Sequence, residues 1–580
     1  MTTNPAAPTA QPLNRSTALL ECVPNFSAGR DSAVIQRIAE RLESVEGARL
    51  LSVEPGRATN RTVMTLVGAP EAVLEAAVRG ARAASELIDM RRHQGEHPRF
   101  GALDVCPLVP IAGLTMDQTV ALAHRLGRRI GEELGIPVFL YEFAARDPRR
   151  RNLADVRAGE YEGLADKLAR PEWRPDFGPA AFLPRTGATA VGARHILVAY
   201  NVNLNTTSTR RANAIAFDVR EKGRIKRAPD PLSGAPVTDA AGNPVWEPGS
   251  LAAVKAIGWF IEEYGIAQVS MNLTDLSRTP LHLAFDEVCR RAEARGVRVT
   301  GSEIVGLVPL SVMLDAGRHF LKKQRRSTGV PDRELIRLAV RSLGLTELGP
   351  FDPDSKIIEY AVAEARGRRL VDRSLEAFVQ ATAAETPAPG GGSVSAAVGA
   401  LGAALGAMVA NLSSHKRGWD ERWESFSGWA ERGARCSDAL LALVDEDTQA
   451  FNAVLAALGM PRDTDAECGA RARALREATK GAIEVPLRVM EAAVEALEVV
   501  TAMAEQGLPS SVSDAGVGAL CAAAAVRGAG LNVRINLKGF DDPAFAKEAV
   551  RRAEELERRA GELEGRALAL VKRETGNGKR

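Results

Sequence analysis

Residues 91–110 read RRHQGEHPRFGALDVCPLVP, and their succession of turn-forming and apolar residues organises the reading of the first half. They hold His93 and His97, two of only seven histidines in the chain. His97 precedes Pro98, whose ring disfavours helix at the preceding residue and holds it extended. Gly101 then opens the apolar run LDVCPLVPI, and its two prolines, Pro107 and Pro110, predict an edge strand. Upstream, ALLECV reads as a strand, and Asp31 is an N-cap for the helix SAVIQRIAERLES. RLLSVEPG and RTVMTLVG read as strands joined by a loop over 55–60, and PEAVLEAAVRGARAASELI as a helix opened by Pro70. Downstream follow a helix, DQTVALAHRLGRRIGEELG, and a strand, VFLYEF. Strand-helix-strand-strand-helix-strand predicts a split βαβ, ferredoxin-like unit with helices on a mostly antiparallel sheet. A histidine on a Pro/Gly-shaped loop beside a strand is suited to moving protons, since imidazole titrates near pH 6.5. The alternative is a surface turn with a capping histidine.

The chain has 580 residues, enough for three or four packed units. Its 75 basic residues nearly balance 73 acidic ones, which argues against a dedicated nucleic-acid binder. Six cysteines lie far apart without a CxxC or metal-ligand spacing, as in a reducing cytosol. Residues 1–18 are polar, rich in Ala, Thr and Pro, and predict a disordered tail. Residues 386–414 carry no charge and could span a bilayer by length, but their Ala/Gly composition, prolines and triple glycine predict a buried bundle helix.

Pro and Gly are dense over 171–187, which suits an ordered loop. ILVAYNVNL then starts a second α/β layer. Residues 221–250 are crowded with Pro, Gly and charge and predict a long exposed loop. LAAVKAIGWFIEEYG is expected to be helix, AQVSMNLTD strand, TPLHLAFDEVCRRAEARG helix and VTGSEIVG strand. The run RHFLKKQRRS over 318–327 is basic: either a solvated helix face or a patch that steers an anionic substrate. Past 375 strand patterns vanish and Ala-rich helical patterning takes over. In ETPAPGGGSVSAAVGALGAALGAMVANLSS, Pro389 and Gly390, Gly391 and Gly392 precede a helix that Ser393 is placed to cap, and such a helix start attracts anions. No lysine follows the glycines, so this is not a P-loop. Asp514 is the only charged residue between Glu505 and Arg527, and apolar surroundings would raise its pKa. The alternative, compatible with the first, is that Asp514 N-caps the following helix.

GEHPRFGALDVCPLVPI, ECVPNFSAGRD, ATNRTVMTLVG, AIGWFIEE, AQVSMNL and GSEIVGLVPL resemble the glutamate formimidoyltransferases, folate enzymes of histidine breakdown. That resemblance implies that His97 is the catalytic base. Glu54 stands where that family usually has Asp, with Pro55 in place of Ser, and either orients His97 or the substrate or is a solvated loop acid. The segment Gly178, Pro179, Ala180, Ala181, Phe182, Leu183, Pro184, Arg185, Thr186 and Gly187 is implied to line the folate site, a linker or lid being the alternative. Against the same family, 221–250 is longer than expected. In the second half, PAPGGGSVSAAVGALGAALGAMVANL, the Asp445, Asp447, Phe451 run and SSVSDAGVGALCAAAAVRGAGLNVRINL resemble the cyclodeaminases. This implies Asp514 as the catalytic residue and Pro389, Gly390, Gly391, Gly392, Ser393, Asp445 and Asp447 as substrate-binding. SSHKRGW departs from that family's pattern of a Gly followed by basic residues, and His415 is given no role.

Together these motifs resemble the fused, bifunctional formimidoyltransferase-cyclodeaminase family. The resemblance implies two α/β, ferredoxin-like subdomains (19–195 and 196–350), a linker (351–372) and an all-α helical-bundle domain (373–575). It also implies transfer of a formimino group from N-formimino-L-glutamate to tetrahydrofolate, then closure to 5,10-methenyltetrahydrofolate with release of ammonia. The expected co-substrate is polyglutamated tetrahydrofolate, with no metal or prosthetic group, no nucleic-acid partner and no membrane. A cytoplasmic homo-oligomer is expected, dimeric at least through the helical domain, with channelling of the intermediate as a hypothesis. Two alternatives stand beside it: a 5-formyltetrahydrofolate:glutamate formyltransferase, and a folate-binding or assembly protein with an inactive second half.

Overall fold

Alternation of apolar and polar side chains along residues 19–26 divides that segment between two faces, and the first sheet grows from it. The structure, a computed structural model, describes residues 18–576 apart from 58, 96–97, 230–233 and 364–368. Strands β1 (Leu19–Cys22) and β2 (Asn25–Phe26) turn Leu20 and Cys22 into a core beneath helices. Glu21, Val23 and Asn25 are left on the opposite face, which lines a cleft. With β3 (Ala48–Gly56), β4 (Arg61–Gly68), β5 (Leu103–Ala112), β6 (Val138–Glu142) and β7 (Thr189–Ala193) they form a seven-stranded sheet. Its order runs β3, β4, then β1 and β2 side by side in one lane, then β5, β7 and β6. Pairings from β3 to β5 are antiparallel, and β7 is parallel to both β5 and β6. Helices α1 (Ser32–Glu43), α2 (Pro70–Leu87) and α3 (Met116–Glu133) bury their apolar faces on one side. Asp31 caps α1 as expected, accepting from the amides of Ala33 and Val34 at 3.0 and 3.1 Å.

Strand β5 is an inner strand, not the edge strand its prolines suggest: β1 and β2 flank it on one side and β7 on the other. Residues 103–109 are buried; Cys106 and Leu108 face the core beneath the helices, and Val105 and Pro107 face the cleft. Pro107 has no amide hydrogen to give, but its carbonyl still accepts from Val23 N at 3.1 Å, so the ladder survives. Two short helices, α4 (Leu153–Arg157) and α5 (Leu164–Leu168), follow β6.

The second sheet repeats the pattern. Strand β8 (Val198–Leu204) and helix α6 (Thr209–Val219) precede the 221–250 insertion, whose described residues hold four two-residue strands. These are β9 (Arg224–Ile225), β10 (Arg227–Ala228), β11 (Ala235–Pro236) and β12 (Trp246–Glu247), with β9 paired to β12 and β10 to β11. Then come β13 (Val254–Ile261), β14 (Ile266–Leu273), α7 (Leu281–Glu293) and β15 (Val299–Val305), in an antiparallel sheet ordered β13, β14, β8, β15. The expected helix over residues 251–265 is therefore β13. Val254, Ala256 and Gly258 face inward while Lys255, Ile257 and Trp259 face out, a period of two and not of 3.6. Gly258 is needed there, because a Cβ would lie 2.1 Å from the amide nitrogen of Asn213 on α6.

After helices α8 (Leu310–Lys323) and α9 (Asp332–Leu343), the chain returns through α10 (Pro353–Lys356) and α11 (Ile358–Ala363). It divides into two compact units, and residues 313–342 group with the helical one. There Thr328 N donates to Ser427 Oγ at 3.0 Å and Asn411 Nδ2 to Gly329 O at 2.9 Å. The rest of that unit is helical: α12 (Leu375–Ala383), α13 (Gly391–Ser414), α14 (Trp423–Leu458), α15 (Asp465–Gln506), α16 (Val512–Asn536) and α17 (Pro543–Gly576). Small residues let α13 and α16 approach closely; a Cβ on Gly402 would lie 2.7 Å from Gly518 O. Both helices are long and apolar enough to cross a membrane, and both bury one face in the bundle core.

Candidate functional sites in the two units

A cleft of about 700 Å³ opens on the faces of the two sheets that their helices leave uncovered. Glu21, Val23 and Asn25, with Arg61, Val63 and Thr65 of β4 and Val105 and Pro107 of β5, form one wall. The second sheet contributes Ala199, Lys255, Asn272 and Val305, and α4 closes one end with Arg157. The wall of the first sheet rests on a buried charge. Asp104 is wholly buried, accepts from Phe100 N at 3.1 Å, and pairs with Arg157 and, at 3.7 Å, with Arg61. Asn25 Oδ1 holds the other side of Arg61, accepting from Nε at 2.9 Å. Burial lowers the Arg61 pKa to about 10, Asp104 opposing and Arg157 reinforcing the shift, and at neutral pH it remains a cation. Arg61 and Arg157, braced on Asp104, lie on the cleft wall with Arg194 and Lys255, a set of cations whose charge suits a carboxylate-bearing ligand. Glu21 lies among them, and burial pushes its carboxyl up to about 7 against the pull of Arg194. Sequence reasoning missed Asp104, Arg61 and Arg157, whose only signals were a charged residue inside an apolar strand and the arginine of ATNRT.

Of the residues singled out from sequence, Glu54 lies on this cleft, accepting from Ser52 Oγ at 3.0 Å. His97 lies outside the described residues; its neighbour Pro98 is on the cleft wall. His93 has both ring nitrogens engaged: Nε2 lies 2.7 Å from the Asn60 carbonyl, and Nδ1 accepts from Arg99 Nε at 3.3 Å. Those partners require the Nε2–H tautomer, and burial holds the His93 pKa below its ordinary value. His93 is therefore a tether for the loop. Asn60 adds to the tether by donating to Gln94 O at 2.9 Å. Gly95 packs so tightly on the β3–β4 turn that a Cβ would lie 2.1 Å from Thr59 O.

The segment from 178 to 187 is an ordered loop, but none of its ten residues lies on the wall of this cleft. It is held elsewhere: Tyr161 Oη donates to Pro184 O at 2.5 Å, Arg185 Nε to Ser85 O at 3.2 Å, and Phe182 packs on the Tyr161 ring. Gly178 and Gly187, at φ of +80° and +65°, bend its two ends toward those anchors.

In the helical unit the structure gathers part of the predicted set. Gly390 is the N-cap of α13, and Ser393 lies inside its first turn rather than capping it. The capping acceptor comes from α14: Asp447 Oδ2 accepts from Ser393 N at 2.8 Å and from Ser393 Oγ at 3.0 Å. Burial raises the Asp447 carboxyl, the Ser393 hydrogen bonds opposing it. A Cβ on Gly392 would lie 2.1 Å from Asp447 Oδ1, which explains a glycine there. Pro389 lines an adjoining hollow of about 430 Å³ with Thr448 and Asn452. Asp445 points elsewhere, accepting from Leu370 N at 2.7 Å, because residues two apart on a helix point about 200° apart. Asp514 is half-buried, in the first turn of α16 and not at its N-cap, which is Ser511. The apolar enclosure expected of it is thus only partial. Gly391 lies beside Asn532 at the far end of α16, about 27 Å from Asp514 at 1.5 Å per residue, so one chain does not join the two groups. Among the described residues no three His, Cys, Asp or Glu side chains gather as metal ligands.

Family models match in three consecutive blocks. Residues 19–194 match the formiminotransferase domain, N-terminal subdomain, 199–363 the formiminotransferase domain, and 374–555 the formiminotransferase-cyclodeaminase model. A formimidoyltransferase-cyclodeaminase from Gallus gallus is 44% identical over 556 residues, covering 96% of this chain and 99% of that protein. The chain belongs to the formimidoyltransferase-cyclodeaminase family. Single-function relatives divide along the same line. A glutamate formimidoyltransferase from Streptococcus pyogenes is 40% identical, covering 52% of this chain and 93% of its own. A methenyltetrahydrofolate cyclohydrolase from Methylorubrum extorquens is 39% identical, covering 32% of this chain and 89% of its own. Family membership puts the cleft in the transferase half and the Gly390–Asp447 cluster in the cyclodeaminase half.

Proposed function

We propose that this chain is a bifunctional, folate-dependent enzyme that performs two consecutive reactions of one-carbon transfer. The first moves the formimino group of N-formimino-L-glutamate to N5 of tetrahydrofolate and releases glutamate. The second closes the ring of 5-formiminotetrahydrofolate to 5,10-methenyltetrahydrofolate and releases ammonia. The observation that carries this reading is that the chain aligns along almost its whole length with a two-activity relative, while separate single-activity relatives align with each half. Histidine degradation is the setting that uses this donor.

In the transferase half the two carboxylates of formiminoglutamate meet Arg61, Arg157, Arg194 and Lys255, which supply charge-assisted, bidentate recognition in a partly dry cleft. As N5 attacks the formimino carbon it must lose its proton, and His97 takes it and returns a proton to the departing glutamate amine. Glu54 orients the substrate or the base from the cleft wall. In the cyclodeaminase half N10 attacks the formimino carbon, and Asp514 accepts the N10 proton and delivers one to the leaving ammonia. The α13 N-terminus, with Ser393 and Asp447, binds a polar part of the folate.

The helical half acts as a homodimer at least. Leu401, Met408 and Leu412 on α13 and Val517, Leu520, Leu531 and Ile535 on α16 form exposed apolar stripes at helical spacing, the kind of surface a second copy covers. A second copy on these stripes would bring its own residues near Asp514, which lies three residues before Val517.

The test is the appearance of methenyl-folate absorbance from formiminoglutamate and tetrahydrofolate. Wild type is expected to give product, His97→Ala none, and Asp514→Ala stalled formimino-folate without ammonia. Absence of both product and ammonia from wild type would refute the bifunctional reading, and turnover of 5-formyltetrahydrofolate with glutamate instead would establish the formyl variant.

A further inference from the structure

A second basin of about 700 Å³ lies between α6 and the 221–250 insertion. It is separate from the cleft: α6 covers the Gly258 face of β13, whereas Lys255 on the opposite face lines the cleft. Six arginines line it, Arg210, Arg211, Arg220, Arg224, Arg227 and Arg295, and among its described lining residues no carboxylate appears. Among the described residues, Asp218 on α6 pairs with the cluster, shared between Arg224 and Arg295, and Glu247 of the insertion adds an attraction to Arg224. One carboxylate thus draws two guanidinium groups together. Other arginines are oriented by carbonyls: Arg211 donates to Arg295 O at 2.6 Å, Arg220 to Gly223 O at 2.8 Å and Arg227 to Gly234 O at 2.9 Å. Burial holds Arg220, Arg224 and Arg295 below the usual arginine range, and neighbouring arginines add to the effect on the last two.

Cations crowded this way repel one another, and a guanidinium does not relieve the repulsion by losing its proton near neutral pH. A bound polyanion does relieve it. The first turn of α6, capped by Ser208 on the rim, adds positive partial charge at the same place. The insertion supplies Arg224, Arg227 and Trp246, and the half-exposed Trp246 ring, with Lys222 Nζ 4.3 Å from its centroid, offers a flat wall. Guanidinium groups bind phosphoryl oxygens through bidentate, charge-assisted hydrogen bonds, and several of them in one basin suit a ligand that carries more than one phosphoryl group.

We propose that the α6–insertion basin is a binding site for a compact polyvalent phosphate anion, distinct from the transferase cleft. Pyrophosphate and a nucleoside diphosphate share that chemistry, and Trp246 distinguishes them, since only the second brings a ring to stack.

Isothermal titration of the full chain with pyrophosphate at fixed ionic strength tests this. Arg210→Glu and Arg227→Glu are the main variants, because neither side chain belongs to the Asp218 pairing; Arg61→Ala in the cleft is the control. The expected result is saturable binding to wild type, weakened about tenfold or more by either reversal and unchanged by Arg61→Ala, with transferase turnover intact in both reversal variants. Tighter binding of ADP than of pyrophosphate, lost in Trp246→Ala, would identify a nucleotide as the source; equal affinity would identify bare phosphate, and both support the site. Binding that survives both reversals, that disappears in Arg61→Ala, or that is tighter for tri-γ-glutamate than for pyrophosphate would overturn it.

Discussion

Replacing Glu21 by Gln is expected to remove a pH-dependent penalty from the first unit. Glu21 is 5% exposed on the cleft wall, and burial raises its carboxyl from 4.5 to about 7, Glu359 adding to the rise and Arg194 opposing it. The folded protein therefore binds more protons than the unfolded chain between about pH 4.5 and 7. Stability from this group falls as pH rises through that window. Below it the carboxyl is neutral in both states, and above it the folded state carries a poorly solvated charge. At about 1.4 kcal/mol per tenfold change in proton affinity, the span from 4.5 to about 7 corresponds to about 3 kcal/mol. Urea unfolding of wild type and Glu21→Gln at fixed ionic strength, from pH 5 to 8, reads this directly. The variant should be more stable by about 1 kcal/mol at pH 5 and by about 3 kcal/mol at pH 8. The KM for formiminoglutamate should rise in wild type as pH passes about 7, because the ionised carboxylate competes for Arg194, and stay flat in the variant. Parallel stability curves across this range would refute the placement of a titrating Glu21 in the cleft wall.

Gly95→Ala should displace the segment that His93 and Asn60 tether, two residues before His97 in the sequence, since the added Cβ meets Thr59 O at 2.1 Å. Transferase turnover is expected to fall by about tenfold or more while cyclodeamination of supplied 5-formiminotetrahydrofolate continues, and unchanged transferase kinetics would contradict the tight fit. Gly392→Ala should do the reverse, because its Cβ would lie 2.1 Å from Asp447 Oδ1 and push α13 from its cap. Formimino-folate should then accumulate with normal glutamate release, at a stability cost of about 1–3 kcal/mol read by thermal unfolding.

Local sequence was a good guide wherever the deciding interactions lie within a few residues. Asp31 caps α1 by reaching amides two and three residues on, and the hairpin of β3 and β4 follows from two alternating runs either side of a short turn. The change from sheet to helix in the second half is legible because Ala-rich runs with helical spacing leave no strand-like alternation.

Other features depended on partners distant along the chain. Two prolines argued for an edge strand at β5, yet β7 pairs with it from more than 80 residues later, and only that arrival made it central. Residues 251–265 are expected as helix from sequence, and contact with Asn213 on α6 and pairing along β14 made most of them strand. Asp104 sits inside a run read as apolar, and its role comes from Arg157, 53 residues on, and Arg61, which close around it. Asp445 and Asp447 were equivalent in sequence, but the helix rotates them to different neighbours, one to Leu370 and one to Ser393. Periodicity is a short-range property that the chain carries in any conformation, so sequence alone determined most of the elements, the two repeated α/β layers and the family. Which strand is inner, which acid meets which arginine and which loop reaches the cleft depend on burial by remote segments, and only the tertiary structure decided them.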